Sequence, residues 1–178
     1  MSDRPQIDKS NVPATALIAL GGNLPWKDIA PDALLPKVLD ALECDEIRVT
    51  ARSGLWRTPA WPDPSEPPYV NAVARVETTL TAEDLLARLN ALEKVFGRER
   101  AERNRSRTLD LDIIDYDGVV QSTSSLTLPH PRATRRAFVL LPLKDVAPEW
   151  RDPVSGAGLA ELIATLPAED IKACERIR

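Results

Sequence analysis

Two aspartates separated by one residue, Asp110 and Asp112, lie in the segment RTLDLDII, residues 107–114, whose pattern is typical of a β-strand. Because alternate side chains of a strand share a face, the two carboxylates point the same way, with Cα atoms about 6.5–7 Å apart. The opposite face, directed at a core, carries Leu109, Leu111 and Ile113. Such a carboxylate pair suits one hard cation, or two cations about 3.5–4 Å apart. The alternative is that both side chains simply face water on an edge strand.

A run of arginines precedes the paired aspartates. Its members are Arg98, Arg100, Arg103, Arg105 and Arg107. A charge run usually forms a solvated face, but guanidinium groups, unlike the ammonium of lysine, present a planar fork that matches phosphate oxygens. In phosphoryl transfer, cations screen the phosphates and metal ions bridge them to carboxylates. The combination therefore suggests magnesium and a polyphosphate.

A few scarce residue types offer further candidates. His130 is the only histidine and stands between two prolines. Since no serine or cysteine forms a recognisable triad with it, we expect a hydrogen-bonding or phosphate-contacting role. Tyr69 and Phe138 are either plain core residues or a pair that sandwiches a flat heterocycle. Asn71 shares a strand face with Tyr69 and offers such a ring both a donor and an acceptor.

Composition limits the class of protein. The chain has 178 residues, 43% hydrophobic and 28% charged, which is typical of a soluble globular domain with a substantial core. No apolar run is long enough to span a membrane, and the polar start lacks a signal-peptide core. We predict a flexible leader over residues 1–13 and a single domain over 14–178. The net charge of −4 argues against broad affinity for nucleic acid.

Only two cysteines occur, Cys44 and Cys174, and their spacing matches no metal motif. They argue against a disulfide scaffold and fit a reducing cytoplasm, where we place the protein. We expect a monomer that contacts neither a membrane nor nucleic acid.

Hydrophobic periodicity predicts an α+β fold. The predicted strands cover 15–20, 47–56, 69–79 and 109–116, and the predicted helices cover 33–43, 81–97, 133–146 (interrupted near Pro142) and 158–166. Asp117-Gly118 predicts a hairpin turn into Val119-Val120, followed by a loop over 121–132. Gly21-Gly22 matches no phosphate-loop pattern and predicts a turn. The order is a ferredoxin-like βαββαβ core, an antiparallel sheet flanked by helices, with additional C-terminal helices.

Six segments together resemble the 6-hydroxymethyl-7,8-dihydropterin pyrophosphokinase family. They are ALGGN (19–23), WRTP (56–59), PYVNA (68–72), RTLDLDII (107–114), LPHPR (128–132) and RAFVLLPL (136–143). They occur in the family order, and RTLDLD is the family's signature. The resemblance implies that ATP gives its β,γ-diphosphate to the hydroxymethyl group of the dihydropterin, leaving AMP, in folate biosynthesis.

The resemblance also implies roles for individual residues. Asp110 and Asp112 would bind two magnesium ions, and Asp112 would help to activate the pterin hydroxyl. The implied catalytic residues are Arg98, Arg100, Arg107 and Asp112. The implied ATP positions are Asn90, Glu93, Arg98, Arg100, Ile113, Thr127, His130 and Arg136. The implied pterin positions are Thr58, Pro59, Trp61, Tyr69, Asn71 and Phe138.

Two alternatives remain at this stage. An RNA-binding module of the same fold would place the arginines on phosphates and stack bases on Tyr69 or Phe138, but it leaves Asp110 and Asp112 unexplained. The other alternative is a different ATP-dependent transferase on the same scaffold, which would need magnesium but not pterin.

Overall fold

The computed structural model describes residues 12–61, 63–98 and 106–177, which contain two β-sheets and five α-helices. The strands are β1 (Ala14–Gly22), β2 (Ile47–Arg52), β3 (Trp56–Thr58), β4 (Tyr69–Thr78), β5 (Asp110–Tyr116), β6 (Gln121–Ser122), β7 (Thr127–Leu128) and β8 (Glu175–Arg176). The α-helices are α1 (Pro31–Leu42), α2 (Ala82–Val95), α3 (Ala137–Val146), α4 (Leu159–Ala164) and α5 (Ala168–Lys172). The predicted mixture of helices with an antiparallel sheet is confirmed.

The larger sheet has the order β5-β1-β4-β3-β8, and β2 also pairs with β4. Its strand pairs are antiparallel. The central pair, β1 with β4, runs without interruption from Ala14 opposite Thr78 to Gly22 opposite Val70. On its other side β1 pairs with β5, with one shift of register between Leu17 and Ile18. The strand with the paired aspartates is therefore held by the most central strand of the sheet.

The two faces of the sheet bury different clusters. On one face, alternate residues such as Ile18, Val76 and Leu111 pack with the leucines of α1 and α2. On the other face, Leu17 and Val73 pack with α3 and with residues of α4. Because side chains alternate across a strand, Asp110 and Asp112 lie on the α3 face while Leu111 enters the opposite core. The alternation predicted for this strand is confirmed.

Helix α2 follows the sequence signals closely. Thr81 caps its N-terminus by accepting a hydrogen bond from the Asp84 backbone N–H, and Leu85, Leu89 and Leu92 form its buried stripe. The helix ends before Gly97, which has a φ of 77° and so takes the left-handed conformation that glycine allows. Since Arg98 follows directly, this ending determines where the arginine run leaves the helix.

The prediction of one strand over 47–56 was wrong, because two strands, β2 and β3, pair with β4 instead. Between them side chains replace part of the ladder, although the Ser53 N–H still donates to the Val73 carbonyl at 2.9 Å. The Val73 N–H donates to Ser53 Oγ at 2.8 Å, and the Gly54 N–H donates to Asp145 Oδ2 at 2.9 Å. A strand whose main-chain partners are taken by side chains leaves the ladder at that point.

The segment after β5 also differs from expectation. Asp117 and Gly118 form the predicted turn, with φ values of 51° and 69°. However, the following residues, Val119 and Val120, do not continue as a strand. Strand pairing begins at Gln121, directly after Val120, where β6 pairs with β7 inside the predicted loop 121–132.

The C-terminal third holds more elements than periodicity predicted. The predicted helix over 133–146 is a 3-10 turn at Ala133–Arg135 followed by α3, which continues through Pro142 without the predicted interruption. The predicted helix over 158–166 is the shorter α4. Neither α5 nor β8 was predicted, because segments of five and two residues are too short to show a periodicity.

Gly22, at the end of β1, approaches the strand that carries the aspartates. A Cβ added here would lie 2.3 Å from the Thr108 carbonyl oxygen, so that one of the two backbones would have to move. We expect Gly22→Ala to lower the free energy of unfolding by about 2 kcal/mol or more, measured by urea denaturation. Gly158→Ala, where the nearest atom is 3.5 Å away, is the control and should cost about 1 kcal/mol or less. Equal losses in the two variants would contradict this interpretation.

Candidate active site

A depression on the α3 face of the sheet is created by the small residues of β1. Gly21 lies between Asp110 of β5 and Asn71 of β4, and Ala19 occupies the equivalent place beside Asp112. A Cβ on Gly21 would lie 3.1 Å from Asn71 Oδ1 and would narrow this floor. The depression opens into a cavity of about 640 Å³ that reaches from the two aspartates to Phe138.

The carboxylate pair occupies one end of the cavity. Asp110 accepts from two guanidinium groups, Arg98 Nη1 at 2.7 Å and Arg107 Nη1 at 3.0 Å. Asp112 instead faces His130, whose Nε2 lies 3.7 Å from Asp112 Oδ2. The Asp112 side chain is 44% exposed against 29% for Asp110. Asp112 is therefore the more open of the two carboxylates toward a ligand in the cavity.

Burial and mutual repulsion shape the titration of this end. Partial burial, and then the neighbouring Asp110 carboxylate, raise the pKa of Asp112, although the nearby His130 ring and the Arg136 guanidinium oppose the shift. Burial lowers the pKa of His130. The Nδ1 of His130 accepts from the Arg132 N–H at 3.1 Å, which places the proton of the neutral ring on Nε2. A neutral imidazole therefore presents an N–H to Asp112 and to the cavity.

The donor set fits magnesium bound together with a phosphate ligand. Two carboxylates on one strand face offer the oxygen ligands that this ion prefers. Within residues 12–61, 63–98 and 106–177, no group of three or more histidine, cysteine, aspartate or glutamate side chains could hold a metal ion. Magnesium usually keeps waters and completes its shell with substrate phosphates, so two protein carboxylates suffice.

Glu93, on α2, holds β5 on the side of the strand away from the cavity. It is 4% exposed, accepts the Leu111 N–H at 2.7 Å and pairs with the guanidinium of Arg98. Burial raises the pKa of Glu93, while the Leu111 hydrogen bond and Arg98 favour its charged form. Glu93 thus satisfies an edge-strand N–H and positions an arginine, instead of facing the cavity.

The far end of the cavity suits a flat polar ring. Asn71 Nδ2 donates to Thr58 Oγ1 at 2.9 Å, which orients the amide with its oxygen beside Gly21 on the cavity floor. The ring of Phe138 lies 5.4 Å below the guanidinium carbon of Arg136. Tyr69 hydrogen-bonds the side chain of Arg107, and Trp61 stands at the mouth with 74% of its surface exposed. Aromatic side chains and an oriented amide therefore share one wall.

Comparisons with known proteins agree with this geometry. The family model described as 7,8-dihydro-6-hydroxymethylpterin-pyrophosphokinase (HPPK) matches residues 17–148. This chain belongs to the HPPK family. A 2-amino-4-hydroxy-6-hydroxymethyldihydropteridine pyrophosphokinase from Pseudomonas aeruginosa is 40% identical over 156 residues, covering 87% of this chain and 93% of the relative. A protein of the same name from Synechocystis is 39% identical over 149 residues, covering 83% of this chain and 74% of the relative.

Solved structures show the same fold. The HPPK-DHPS protein of Plasmodium falciparum superimposes with a TM-score of 0.67 at 14% sequence identity. The match covers 88% of this chain, which spans only 42% of that longer protein. With the family established, the RNA-binding alternative is set aside.

The structure gathers most of the residues that the HPPK resemblance implied. The cavity is lined by Thr58, Pro59, Trp61, Tyr69, Asn71, Arg107, Asp110, Asp112, His130, Arg136 and Phe138. The other ATP positions within the described residues, Asn90, Glu93, Arg98, Ile113 and Thr127, do not line it, although Arg98 pairs with Asp110, which does. Ile113 is 3% exposed, and its side chain lies in the core that the sheet forms with α1 and α2. Only its main chain is therefore available to a ligand. Arg100 lies outside the described residues.

Sequence reasoning missed several residues of the HPPK cavity. They are Ala19, Arg132, Arg135, Asp170 and Cys174. Arg132 precedes the 3-10 turn before α3 and Arg135 ends it, and their clustering with Arg136 was a visible signal of basic charge. Asp170 and Cys174 come from the C-terminal segment, beyond the family match, where no motif pointed to the site. Burial and Asp170 raise the pKa of the Cys174 thiol to about 11, so this thiol stays protonated.

The ring of Phe138 should contribute mainly to pterin affinity. We expect Phe138→Leu, which keeps most of the volume but removes the flat face, to weaken pterin binding by about two- to tenfold, because a lost aromatic stack costs about 0.5–1.5 kcal/mol. ATP affinity should not change. Fluorescence titration with each ligand tests this, and Leu140→Met in the same helix, fully buried on the core side, is the control. Unchanged pterin affinity in Phe138→Leu would remove the ring from the pterin site.

Proposed function

We propose that this protein transfers the β,γ-diphosphate of ATP to 6-hydroxymethyl-7,8-dihydropterin, releasing AMP, in folate biosynthesis. The observation that carries the proposal is the layout of one cavity. Paired carboxylates with arginines lie at one end, and an amide with aromatic rings lies at the other. A reaction between a polyphosphate and a flat heterocycle needs both ends at once. Family membership supplies the identity of the two substrates.

In the proposed reaction the pterin hydroxyl oxygen attacks the β-phosphorus of ATP. The bond from the β-phosphorus to the oxygen that bridges the α- and β-phosphates breaks. AMP leaves with that electron pair, and the hydroxyl proton is lost. We assign the acceptance of this proton to Asp112, because it is the more exposed of the two carboxylates that face the cavity. The N–H of His130 beside Asp112 and the guanidinium of Arg136 offer donors to phosphate oxygens.

Positioning and charge account for the rest of the proposed mechanism. Two magnesium ions, held by Asp110 and Asp112 together with ATP, would neutralise charge on the phosphates. Arg98 and Arg107 lie within ion-pair distance of Asp110 and so stand beside any phosphate bound there. Arg100 joins this catalytic set by family pattern. Thr58, Asn71 and Tyr69 orient the ring, and the aromatic wall displaces water that would compete as acceptor.

The molecular organisation completes the proposal. The strand order β5-β1-β4 with β2 beyond supports a ferredoxin-like βαββαβ core, and we propose a single domain over 14–178 acting as a monomer. Residues 1–11 of the expected leader lie outside the described part. Two free cysteines, Cys44 and Cys174, support a cytoplasmic location. Within the described residues, no helix has the length and apolarity to cross a membrane.

The decisive experiment measures AMP formation from ATP and magnesium, with and without 6-hydroxymethyl-7,8-dihydropterin. We expect pterin-dependent AMP and a diphosphorylated pterin, identified by mass spectrometry. ATP consumption that ignores the pterin would point to another acceptor on the same scaffold. Protein that is folded and binds ATP but makes no AMP with pterin would overturn the proposal.

A further inference from the structure

Asn23, at the end of β1, lies where three chain segments meet. It is 3% exposed, and its side chain uses its full donor set. Nδ2 donates to the Pro67 carbonyl at 3.0 Å and to Ser106 Oγ at 2.8 Å, while Oδ1 accepts the Arg107 N–H at 2.8 Å. The Asn23 backbone N–H also donates to the Arg107 carbonyl at 3.0 Å. An amide is the side chain that supplies two donors and an acceptor in this geometry.

The partners of Asn23 belong to the two ends of the cavity. Arg107, held through both its N–H and its carbonyl, reaches Asp110 at one end and Tyr69 at the other. Pro67 lies in the segment between β3 and β4, two residues before Tyr69. Ser106 Oγ extends the connection by donating to Glu66 Oε2 at 2.8 Å. The asparagine therefore fixes the backbone on which the metal-side arginine and the ring-side tyrosine both depend.

We propose that Asn23 is a positioning residue that sets Arg107 and Tyr69 in register, so that the diphosphate and its acceptor meet in line. This inference rests on the proposed function, because it concerns the geometry of that transfer. Asn23 does not line the cavity, so it acts through Arg107 and the 66–67 segment. A misplacement of about 1 Å at such a position costs on the order of 10²-fold in rate.

Steady-state kinetics of Asn23→Ala test the inference. We expect kcat/KM for the pterin to fall about 10²-fold, with kcat as well as KM affected. Ser106→Ala, a milder variant, keeps both hydrogen bonds of Asn23 to the Arg107 main chain, one through the Asn23 side-chain oxygen and one through its N–H. It should therefore raise the pterin KM several-fold and leave kcat within about twofold of wild type. Should Asn23→Ala fail to fold, Ser106→Ala and Glu66→Ala still measure the connection, because each removes one partner of the Ser106–Glu66 hydrogen bond.

A double-mutant cycle separates positioning from general stability. If Asn23 acts on kcat through Arg107, then adding Asn23→Ala to Arg107→Ala should lower kcat by no more than about twofold further. Thr78→Val is the matched control. Thr78 is 1% exposed, donates to the Glu46 carbonyl at 2.8 Å and accepts the Leu80 N–H at 3.1 Å, at the opposite end of β4. The Thr78→Val variant should be less stable than wild type, with kcat and KM unchanged.

The outcomes are distinct. Wild-type kinetics in a folded Asn23→Ala protein, or a full additive loss in the Arg107→Ala background, would overturn the inference while the proposed function stands. A wild-type protein without pterin-dependent AMP formation would overturn the proposed function and this inference with it. Loss of kcat that is non-additive with Arg107→Ala and absent from Thr78→Val would establish the positioning role.

Discussion

Asp112→Asn should abolish diphosphate transfer while leaving the fold intact. The substitution keeps the size of the side chain but removes the charge from the more open of the two carboxylates, which we assign to metal binding and to proton acceptance. Loss of such a charge removes several kcal/mol of transition-state stabilisation, so we expect kcat to fall by about 10³-fold or more. Pterin-dependent AMP release under saturating ATP and magnesium measures the effect.

The same substitution should make the protein more stable at neutral pH. The raised pKa of Asp112 means that the folded protein holds the carboxyl proton more tightly than the unfolded chain does. Stability from this group is therefore complete below the unfolded pKa and is lost as pH rises through the folded pKa. Thermal melts should show Asp112→Asn above wild type at pH 7, with the difference vanishing near pH 3.

A matched aspartate sharpens this test. Asp117 follows the same strand in an exposed turn with a φ of 51°, a conformation that asparagine tolerates well. Asp117→Asn should retain wild-type activity and show no comparable gain in stability. Near-wild-type turnover in Asp112→Asn would remove Asp112 from the chemistry, and a lower melting temperature at pH 7 would contradict its assigned environment.

Arg98→Ala should lower the rate far more than it weakens ATP binding. The Arg98 guanidinium is held by Glu93 and Asp110. ATP and magnesium must displace it from Asp110, so the initial binding step gains little from it. Once displaced, it stands beside the phosphates and stabilises charge in the transition state. We expect kcat to fall about 10²–10³-fold, and the Kd for ATP to change only a few-fold.

Two further variants interpret that result. Arg98→Lys keeps the charge without the planar fork and should fall between wild type and alanine. Arg88→Ala, on the exposed side of α2, should behave as wild type in both kcat and ATP affinity. Rapid-quench measurement of single turnovers, with Kd from titration, separates the two steps. A rise in Kd with unchanged kcat would mean that Arg98 provides only ground-state binding.

The features that the sequence predicted correctly are local in the chain. Alternation along 109–114 placed Asp110 and Asp112 on one face, and leucine spacing with Thr81 and Gly97 bounded α2. These patterns reflect burial of neighbouring residues and need no knowledge of the rest of the fold. The cavity wall at Tyr69 and Asn71 was likewise visible as a shared strand face.

The features that were missed depend on distant partners. The break between β2 and β3 coincides with a hydrogen bond between Ser53 Oγ and the Val73 N–H. The side-chain partners of Asn23 lie 44, 83 and 84 residues away. Asn23 therefore looked like part of a glycine turn. The position of Ala19 on the cavity floor beside Asp112 follows from the register between β1 and β5, which involves residues far apart in the chain.

The ion pairs of Asp110 with Arg98 and Arg107 also bear on how the proposed magnesium ions would bind. The Asp110 carboxylate is already paired with two guanidinium groups, so a free magnesium ion would have to compete with them while bringing no contacts of its own. A nucleotide-bound ion arrives with phosphate oxygens that take over those guanidinium groups in exchange. Metal occupancy should therefore follow the ATP supply of the cell rather than its free magnesium concentration.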